Sequence, residues 1–313
     1  MSDEVLEELT ARGVVDVRPG TELKRLTTLR VGGPARALVV AHRDDDLAAV
    51  GVVCRNHGLE WLVVGRGSNL LVADAGWPGV AVQLGRPYRR LEPDGELVRV
   101  GGAEPLPALA ARLAEQGYAG FAWAVAVPGT IGGAVRMNAG AHGSQMADHL
   151  LDVDVVRLST GVRETWPAEL LGLRYRHSEL PADAVVVAAT LRLERGEREQ
   201  IRRELREIRD WRREHQPSNE PSCGSVFVNP EGDSAGRLVD ACGGKQLRVG
   251  GARVSERHAN FIVTSPEATA RDVHTLITLV QDRVEERFGV RLRPEVVMAG
   301  DFSDGGAGGR WQG

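Results

Sequence analysis

The stretch VPGTIGGAVRMNAGAHG, residues 127–143, carries five glycines and three alanines in 17 residues. A pair of small residues is routine in a turn, but this run is too long for one turn and lacks the Ser, Gln or Glu surplus of a flexible linker. It therefore predicts backbone that packs closely against something large. A neighbouring helix and a bound ligand both fit that description.

A second glycine-rich stretch, VVGRGSNLLVADAGW, occupies residues 63–77. A strand that ends in such a turn can present several backbone N–H groups to one anion, as in many pyrophosphate sites. It is not a dinucleotide fingerprint, because GxGxxG needs glycine where the chain has Leu70, and it is not a P-loop, because no GKS or GKT follows. Together the two stretches predict either loops that enclose an extended dinucleotide between two lobes, or two packing turns that bind nothing.

Composition indicates a soluble globular protein, since 42% of the 313 residues are hydrophobic and 26% are charged. The net charge of −4 argues against a nucleic acid partner held by a basic field. Cys54, Cys223 and Cys242 cannot all pair and form no CxxC, which fits a reducing compartment. The N-terminus is acidic, and no apolar run approaches the roughly 18 residues of a membrane span. We expect a cytoplasmic protein without membrane insertion.

Periodicity predicts alternating elements in the first two thirds of the chain. ARALVVA (35–41), a helix ending near Gly58 and EWLVVG (60–65) form a βαβ signature. Further strands are predicted at GVAVQL, LVRVGG, LDVDVVRLS and DAVVVAATLRLE, with a helix in EPLPALAARLAEQG.

The amino-acid composition changes at Arg198, where a highly charged segment begins. REQIRRELREIRDWRREHQ places Ile201, Leu205, Ile208 and Trp211 at helical spacing, as in a boundary helix or the first helix of a new domain. A short helix in SAGRLVDACGG, a strand NFIVT, a long helix in ATARDVHTLITLVQDRVEERFG and a strand near RLRPEVVM follow.

Seven motifs occur in a characteristic order: TTLRVGGPA, GRGSNLLVAD, VPGTIGGAVRMNAGA, YRHSEL, PSCGSVFVNP, GGARVSERHANFIV and LRPEV. On these motifs, residues 22–300 resemble the UDP-N-acetylenolpyruvoylglucosamine reductase family, in its shorter second type. The resemblance implies an α+β fold with a two-lobed FAD-binding domain of the vanillyl alcohol oxidase type and a C-terminal α+β substrate domain. The implied domains are an N-terminal segment 1–21, an FAD-binding domain 22–197 with lobes 22–83 and 84–197, a substrate-binding domain 198–300 and a flexible tail 301–313.

The resemblance also implies noncovalent FAD, with NADPH as reductant and a UDP-sugar as substrate. The enolpyruvyl group of UDP-N-acetylglucosamine enolpyruvate is reduced to the lactyl ether of UDP-N-acetylmuramate, a step of peptidoglycan precursor synthesis. Hydride addition at the terminal vinyl carbon leaves negative charge on the adjacent carbon and the carboxylate. Such a site needs electrophilic stabilisation and a proton donor.

Motif position assigns three catalytic residues by resemblance. Arg176, in YRHSEL, would bind the carboxylate as it acquires enolate charge, which suits a guanidinium fork. Ser225, in CGSVF, would protonate the second carbon, and Glu295, in LRPEV, would act with Arg176 on the developing charge, either protonated or paired with arginine. The alternatives are a surface arginine, a serine that forms a turn and an ordinary glutamate at a strand edge.

The resemblance places FAD along both glycine-rich loops and the diphosphate of the substrate near a second set of polar residues. The cofactor residues implied are Gly65, Arg66, Gly67, Ser68, Asn69, Leu70, Pro128, Gly129, Thr130, Gly132, Gly133, Asn138 and Ala139. The substrate residues implied are Tyr175, Arg213 and Asn229. Val228 and Ala126 depart from the family pattern, the first beside a predicted diphosphate contact.

Several other classes of site and protein are disfavoured by the residues. Cys223 has no partnered histidine for nucleophilic chemistry, and His142, His177 and His258 lack metal-ligand spacing. A sugar or alcohol oxidase frequently tethers its flavin through a histidine in the first loop, and GRGSN has none. A nonenzymatic nucleotide-binding module would have no use for Arg176, Ser225 and Glu295 together.

Overall fold

The computed structural model describes residues 3–303 and groups the chain into two compact units. The first unit runs up to Pro19 and includes Arg36–Arg66 and Gly79–Trp211; the second contains Gly20–Ala35, Gly67–Pro78 and the chain from Arg212 onward. Most of the predicted tail 301–313 lies outside the described residues.

The compact units divide the chain differently from the predicted domains. The motif TTLRVGGPA and most of GRGSNLLVAD group with the C-terminal residues, because Leu29, Val31 and Leu71 are buried in the core of the second unit. The charged helix that begins at Arg198 buries Ile201, Leu205 and Ile208 in the core of the first unit. A helix whose charge pattern marks a boundary therefore contributes its apolar face to the unit that precedes it.

Helices form where the apolar spacing and the capping residues predict them. Asp3 accepts the Val5 N–H at the start of the first helix, Gly58 ends the second at a φ of 63°, and Thr269 and Asp272 form a capping box at the last. The helices of the described residues are α1 Glu4–Ala11, α2 Asp44–His57, α3 Leu106–Glu115, α4 Ile131–Arg136, α5 Arg198–His215, α6 Ala235–Ala241 and α7 Ala270–Phe288.

Strands make up most of the remaining regular secondary structure in both units. They are β1 Val17–Pro19, β2 Ala35–Ala41, β3 Trp61–Val63, β4 Leu70–Val72, β5 Trp77–Leu84, β6 Leu91–Asp94, β7 Leu97–Gly101, β8 Gly140–Ala141, β9 Ser144–Gln145, β10 Leu150–Arg157, β11 Arg163–Pro167, β12 Ala184–Arg192, β13 Ser222–Ser225, β14 Arg248–Val249, β15 Ala252–Val254, β16 Phe261–Thr264 and β17 Val297–Ala299.

The first unit is built on two sheets. One has the strand order β1-β2-β5-β3, and the other has the antiparallel order β11-β10-β12-β7-β6. The elements of the predicted βαβ signature are present, but β5 lies between its two strands and pairs in parallel with β3. Residues Gly79–Val82 of β5 are buried, as suits a strand in the middle of a sheet.

Two hydrophobic clusters fill the first unit. One lies among α1, α2 and the first sheet, where Leu9, Leu47 and Val80 are fully buried. The other lies on the second sheet and receives α3, which buries Leu106, Leu109, Ala110 and Leu113 at the spacing of one helical face.

The second unit has its own hydrophobic core, to which both helices and strands contribute. Its sheet has the order β13-β16-β15-β14, while β4 and β17 form a separate parallel pair. Helix α7 buries Val273, Leu276, Ile277, Val280 and Val284 in this core. Among residues 3–303 there is no helix of the length and apolarity that a membrane crossing requires.

Candidate active site

The two glycine-rich loops approach each other in the first unit at Gly65 and Thr130. A Cβ atom added to Gly65 would lie 2.8 Å from the Thr130 hydroxyl oxygen, so a larger residue has no room without a shift. Thr130 is buried and precedes α4, where its hydroxyl accepts the Gly133 N–H at 3.5 Å. The structure therefore brings both loops to one place.

The small residues around Gly132 allow α4 to lie directly on the second sheet. The Gly132 N–H donates to the Gly102 carbonyl at 2.9 Å, and the Leu106 N–H donates to the Gly129 carbonyl at 3.1 Å. A Cβ atom on Gly132 would lie 3.0 Å from the Val186 carbonyl oxygen. Close backbone packing thus accounts for part of the glycine content of residues 127–143.

A cavity of about 160 Å³ opens beside these loops within the first unit. Five predicted cofactor residues line it: Gly65, Arg66, Thr130, Gly132 and Gly133. Arg89 and Arg136 line it as well, whereas Val63, Val64, Leu84 and Val185 supply apolar wall. Glycine backbone, apolar surface and positive charge in one cleft match the needs of a dinucleotide with a diphosphate, so these residues fit FAD.

Arg136 is a cavity residue that the sequence analysis missed. Its guanidinium donates to the carbonyls of Leu180, Pro181 and Ala184 at 3.1, 2.9 and 2.6 Å. Burial lowers the pKa of this guanidinium, and the charge of Asp183 opposes the shift. The sequence contained a signal for this residue, because Arg136 is the one charged residue of the motif VPGTIGGAVRMNAGA.

Gly67 and Asn69 of the first loop belong to the second unit and have defined contacts there. Gly67 has a φ of 59°, and a Cβ atom on it would lie 2.1 Å from the Leu26 carbonyl oxygen. The Asn69 amide donates to the Glu295 carbonyl at 3.0 Å. Ser68 is half-buried, and Leu70 pairs with Val297 in the β4–β17 ladder. Their contact with a cofactor stays a prediction.

Asn138 is fully buried, and its side-chain amide is bonded to protein groups. It accepts the Ala147 N–H at 2.9 Å and donates to Gln145 Oε1 at 3.0 Å and to the Arg174 carbonyl at 2.9 Å. Pro128, Gly129 and Ala139 are half-buried. The side chain of Asn138 therefore ties two loops together, and a role toward FAD remains a prediction for these four residues.

Arg176 occupies the tip of a tight turn. Arg174 and His177 exchange backbone hydrogen bonds of 3.0 Å, and Arg176 has a φ of 54°, in the left-handed region. Its Nη2 donates to the Gly140 carbonyl at 2.9 Å. The YRHSEL and MNAGA motifs are thereby joined, with the predicted catalytic guanidinium held by backbone of the second glycine-rich stretch.

Ser225 and Glu295 are brought together in the second unit. The Glu295 N–H donates to the carbonyl of Val226, the residue after Ser225, at 2.7 Å. Both predicted catalytic residues are half-buried, and Gly224 before Ser225 has a φ of 78°. A short β13 strand and the segment before β17 therefore present a hydroxyl and a carboxyl side chain from adjacent backbone.

Asn260, in the motif GGARVSERHANFIV, fixes the backbone that follows Ser225. It is buried, accepts the Phe227 N–H at 2.9 Å and donates to the Phe227 carbonyl at 2.8 Å. Its own carbonyl accepts the Val226 N–H at 2.8 Å. Asn260 was not among the predicted site residues; a polar residue directly before the apolar β16 strand was the available signal.

Cys223 lies two residues before Ser225 and is buried. Burial, with the nearby charge of Glu295, raises the pKa of its thiol to about 12. A neutral buried thiol is a poor nucleophile, in accord with the sequence argument against nucleophilic chemistry. Within residues 3–303, no group of three His, Cys, Asp or Glu side chains is arranged to hold a metal ion.

The predicted substrate residues are at least partly exposed. Tyr175 is 50% exposed, and its ring lies 5.1 Å from the Arg176 guanidinium carbon. In the second unit, the Arg213 carbonyl accepts a 2.8 Å hydrogen bond from Arg257, while Asn229 Oδ1 accepts the Ala235 N–H at 3.0 Å. Their role toward substrate stays a prediction.

The fold and the cavity together define an FAD-binding flavoprotein. Residues 35–165 match the family model described as FAD binding domain. A structure of berberine bridge enzyme, a variant in complex with (S)-reticuline, is 14% identical, covers 63% of this chain and 44% of that chain, and has a TM-score of 0.50. A likeness at that identity shows the fold alone. The predicted α+β class with an FAD-binding domain of the vanillyl alcohol oxidase type is confirmed.

Comparison over the whole length then identifies the family. Residues 216–299 match the model described as UDP-N-acetylenolpyruvoylglucosamine reductase, C-terminal domain. The UDP-N-acetylenolpyruvoylglucosamine reductase of Bacillus licheniformis is 39% identical over 96% of this chain and 99% of its own, and that of Heliobacterium modesticaldum is 42% identical over 91% and 92%. The crystal structure of the Thermus caldophilus reductase has a TM-score of 0.78 at 36% identity, covering 91% of this chain and 98% of that chain. The chain belongs to the UDP-N-acetylenolpyruvoylglucosamine reductase family.

Proposed function

We infer that this protein is an FAD-dependent, NADPH-consuming oxidoreductase that reduces UDP-N-acetylglucosamine enolpyruvate to UDP-N-acetylmuramate in peptidoglycan precursor synthesis. The observation that carries the inference is a match to UDP-N-acetylenolpyruvoylglucosamine reductases over 96% of this chain and 99% of the first relative. The proximity of Ser225 and Glu295 in the second unit supports it, because both half-buried residues belong to motifs of that family.

In this proposal, residues 22–197 hold the cofactor and residues 198–300 hold the substrate. FAD, when bound, supplies hydride transfer between NADPH and the enolpyruvyl group. Gly65, Gly132 and Gly133 line the same cavity as Thr130, which supports contact between backbone and dinucleotide. Arg66 adds positive charge to the same cavity, and GRGSN lacks a histidine for a covalent tether.

The residues proposed to act on the substrate have separate tasks. Arg176 presents a planar donor fork to the carboxylate that acquires charge when hydride adds to the terminal carbon. Ser225 gives its hydroxyl proton to the second carbon, which completes the lactyl ether. Glu295 acts on the developing charge at the same group. The half-buried positions of Ser225 and Glu295 and the anchored Arg176 turn support these assignments.

The remaining assignments follow from the chemistry of the ligands. Tyr175, Arg213 and Asn229 are proposed to contact the UDP-sugar, and their exposure supports access to it. A nucleotide sugar and NADPH are cytoplasmic metabolites, so the proposed location is the cytoplasm. The three free, buried cysteines support a reducing compartment.

The test begins with the absorption spectrum of the purified protein, which should be yellow and release unmodified FAD on denaturation. NADPH oxidation is then followed under anaerobic conditions with and without the enolpyruvyl substrate, and the product is identified by mass. We expect NADPH consumption that depends on substrate and yields UDP-N-acetylmuramate in equal amount. A protein that gains no flavin spectrum when FAD is added, or that oxidises NADPH without reducing the substrate, would overturn the proposal.

A further inference from the structure

The cavity beside the two glycine-rich loops has an unbalanced charge. Three of its lining side chains are arginines, Arg66, Arg89 and Arg136, and within the described residues its lining contains no Asp or Glu. A cleft lined by one sign of charge concentrates ligands of the opposite sign. The cavity is therefore built to receive an anion.

Arg136 shows this imbalance most clearly. Its guanidinium is fixed by the carbonyls of Leu180, Pro181 and Ala184, and in residues 3–303 it forms no ion pair. The acid whose charge it senses, Asp183, is engaged with the Arg157 guanidinium at 2.8 Å. A largely buried cation with dipoles but no anion for partners is costly, and an anionic ligand removes that cost.

Arg89 and Arg66 extend the positive surface to the cavity mouth. Both side chains are exposed, and neither forms an ion pair with an acidic residue of the described chain. Arg90, the next residue after Arg89, is also exposed but donates to the Pro87 carbonyl at 2.8 Å and does not line the cavity. Arg89 therefore lines the cavity and Arg90 does not, although both side chains are exposed.

We propose that Arg136, with Arg89 and Arg66, binds the adenosine diphosphate half of FAD and selects the cofactor by its diphosphate charge. This rests on the proposed function. The diphosphate is the charged part of FAD at neutral pH. Arg66 and Arg89 can present a guanidinium fork to phosphate oxygens, whereas Arg136, whose Nη2 already donates to two carbonyls, retains its Nε–H and the second hydrogen of Nη1. The cavity, at about 160 Å³, is smaller than the roughly 300 Å³ at which small-molecule pockets begin, so it encloses one part of the dinucleotide.

The test measures binding to the full-length apoprotein, prepared by removing FAD. FAD, ADP and riboflavin are titrated by calorimetry into the wild type, Arg136→Met, Arg89→Met and the control Arg90→Met. We expect Arg136→Met to weaken FAD and ADP by the same factor of about 10 or more, the weight of a charge-assisted hydrogen bond. Riboflavin, which lacks the diphosphate, should bind equally to all four proteins.

Two further measurements keep the outcome unambiguous. Arg136→Met loses three carbonyl hydrogen bonds, so its fold is checked by thermal denaturation; Arg89→Met removes an exposed side chain and carries the same expectation with a smaller factor. Because NADPH is also an anion, its KM is measured at saturating FAD and should not change in either variant.

The inference is overturned if both variants bind FAD and ADP as tightly as Arg90→Met does. It is equally overturned if riboflavin is weakened as much as ADP, or if the KM for NADPH rises while FAD binding is unchanged. Failure of the wild type to bind FAD at all would instead contradict the proposed function, and this inference with it.

Discussion

The side-chain amide of Asn69 donates a 3.0 Å hydrogen bond to the backbone carbonyl of Glu295. The Asn69 carbonyl also accepts the Val297 N–H at 3.1 Å, so Asn69 bonds the backbone on both sides of Val296. The Glu295 N–H donates to the Val226 carbonyl at 2.7 Å. Within the second unit, a residue of the GRGSN loop thus fixes the backbone from which Glu295 projects beside the Ser225 strand.

Removing the Asn69 amide should loosen Glu295. We expect Asn69→Ala and Asn69→Asp, which both lack the donor, to slow substrate reduction about 2- to 10-fold, the worth of one neutral hydrogen bond. Titration of the apoprotein with FAD separates this effect from any contact of Asn69 with the cofactor. Substrate reduction at the wild-type rate in both variants would show that the hydrogen bond has no part in catalysis.

Arg176→Lys should impair the reaction although it conserves charge. An ammonium cannot reproduce the planar fork that binds a carboxylate through two oxygens, and a loss of about 1–3 kcal/mol of transition-state stabilisation is the scale of one charge-assisted contact. The turnover of Arg176→Lys is compared with that of Arg174→Lys, an exposed arginine of the same turn that pairs with Glu179 at 2.8 Å. Equal turnover in the two variants would remove Arg176 from the catalytic set.

The cysteines should resist alkylation while the protein is folded. Burial raises the pKa of Cys54 to about 12 and, with the charge of Glu295, that of Cys223 to about 12; burial also raises the pKa of Cys242. With a pKa of 12 only about one thiol in 10⁴ is ionised at pH 8. Mass spectrometry after iodoacetamide treatment should find unmodified native protein and three modified cysteines in urea. Rapid labelling of native Cys223 would contradict its burial and reopen a nucleophilic role.

Local features of the fold were predictable, whereas pairing across the chain was not. The helix before Gly58, the strand at residues 35–41 and the long helix near the C-terminus follow from spacing and caps, which depend on neighbouring residues. Strand β5 lies between β2 and β3 because it is the strand that is buried in the middle of the sheet. The βαβ pattern of β2, α2 and β3 does not reveal that a later strand is inserted between them.

For the candidate site too, features set by local sequence were predictable, whereas contacts between distant parts of the chain were not. The motifs predict Gly65, Thr130, Arg176, Ser225 and Glu295 as site residues, because each belongs to a recognisable local sequence. Arg136 was missed because its role depends on carbonyls 44 to 48 residues further along the chain. The sequence predicts the chemical groups of the site more completely than the contacts that hold them.

The most direct test of a substrate-reducing site at Ser225 is stopped-flow measurement of the two half-reactions of Ser225→Ala. Flavin reduction by NADPH involves no proton transfer to the substrate and should keep its wild-type rate, whereas reoxidation by the enolpyruvyl substrate should slow by a factor on the order of 10² or more, the usual weight of a positioned proton donor. Ser225→Cys should recover part of the rate, because a thiol is a stronger acid than a hydroxyl, and Ser222→Ala in the same strand should behave as the wild type. Equal slowing of both half-reactions would reduce Ser225 to a structural residue, and slowing of neither would contradict its assignment as the proton donor.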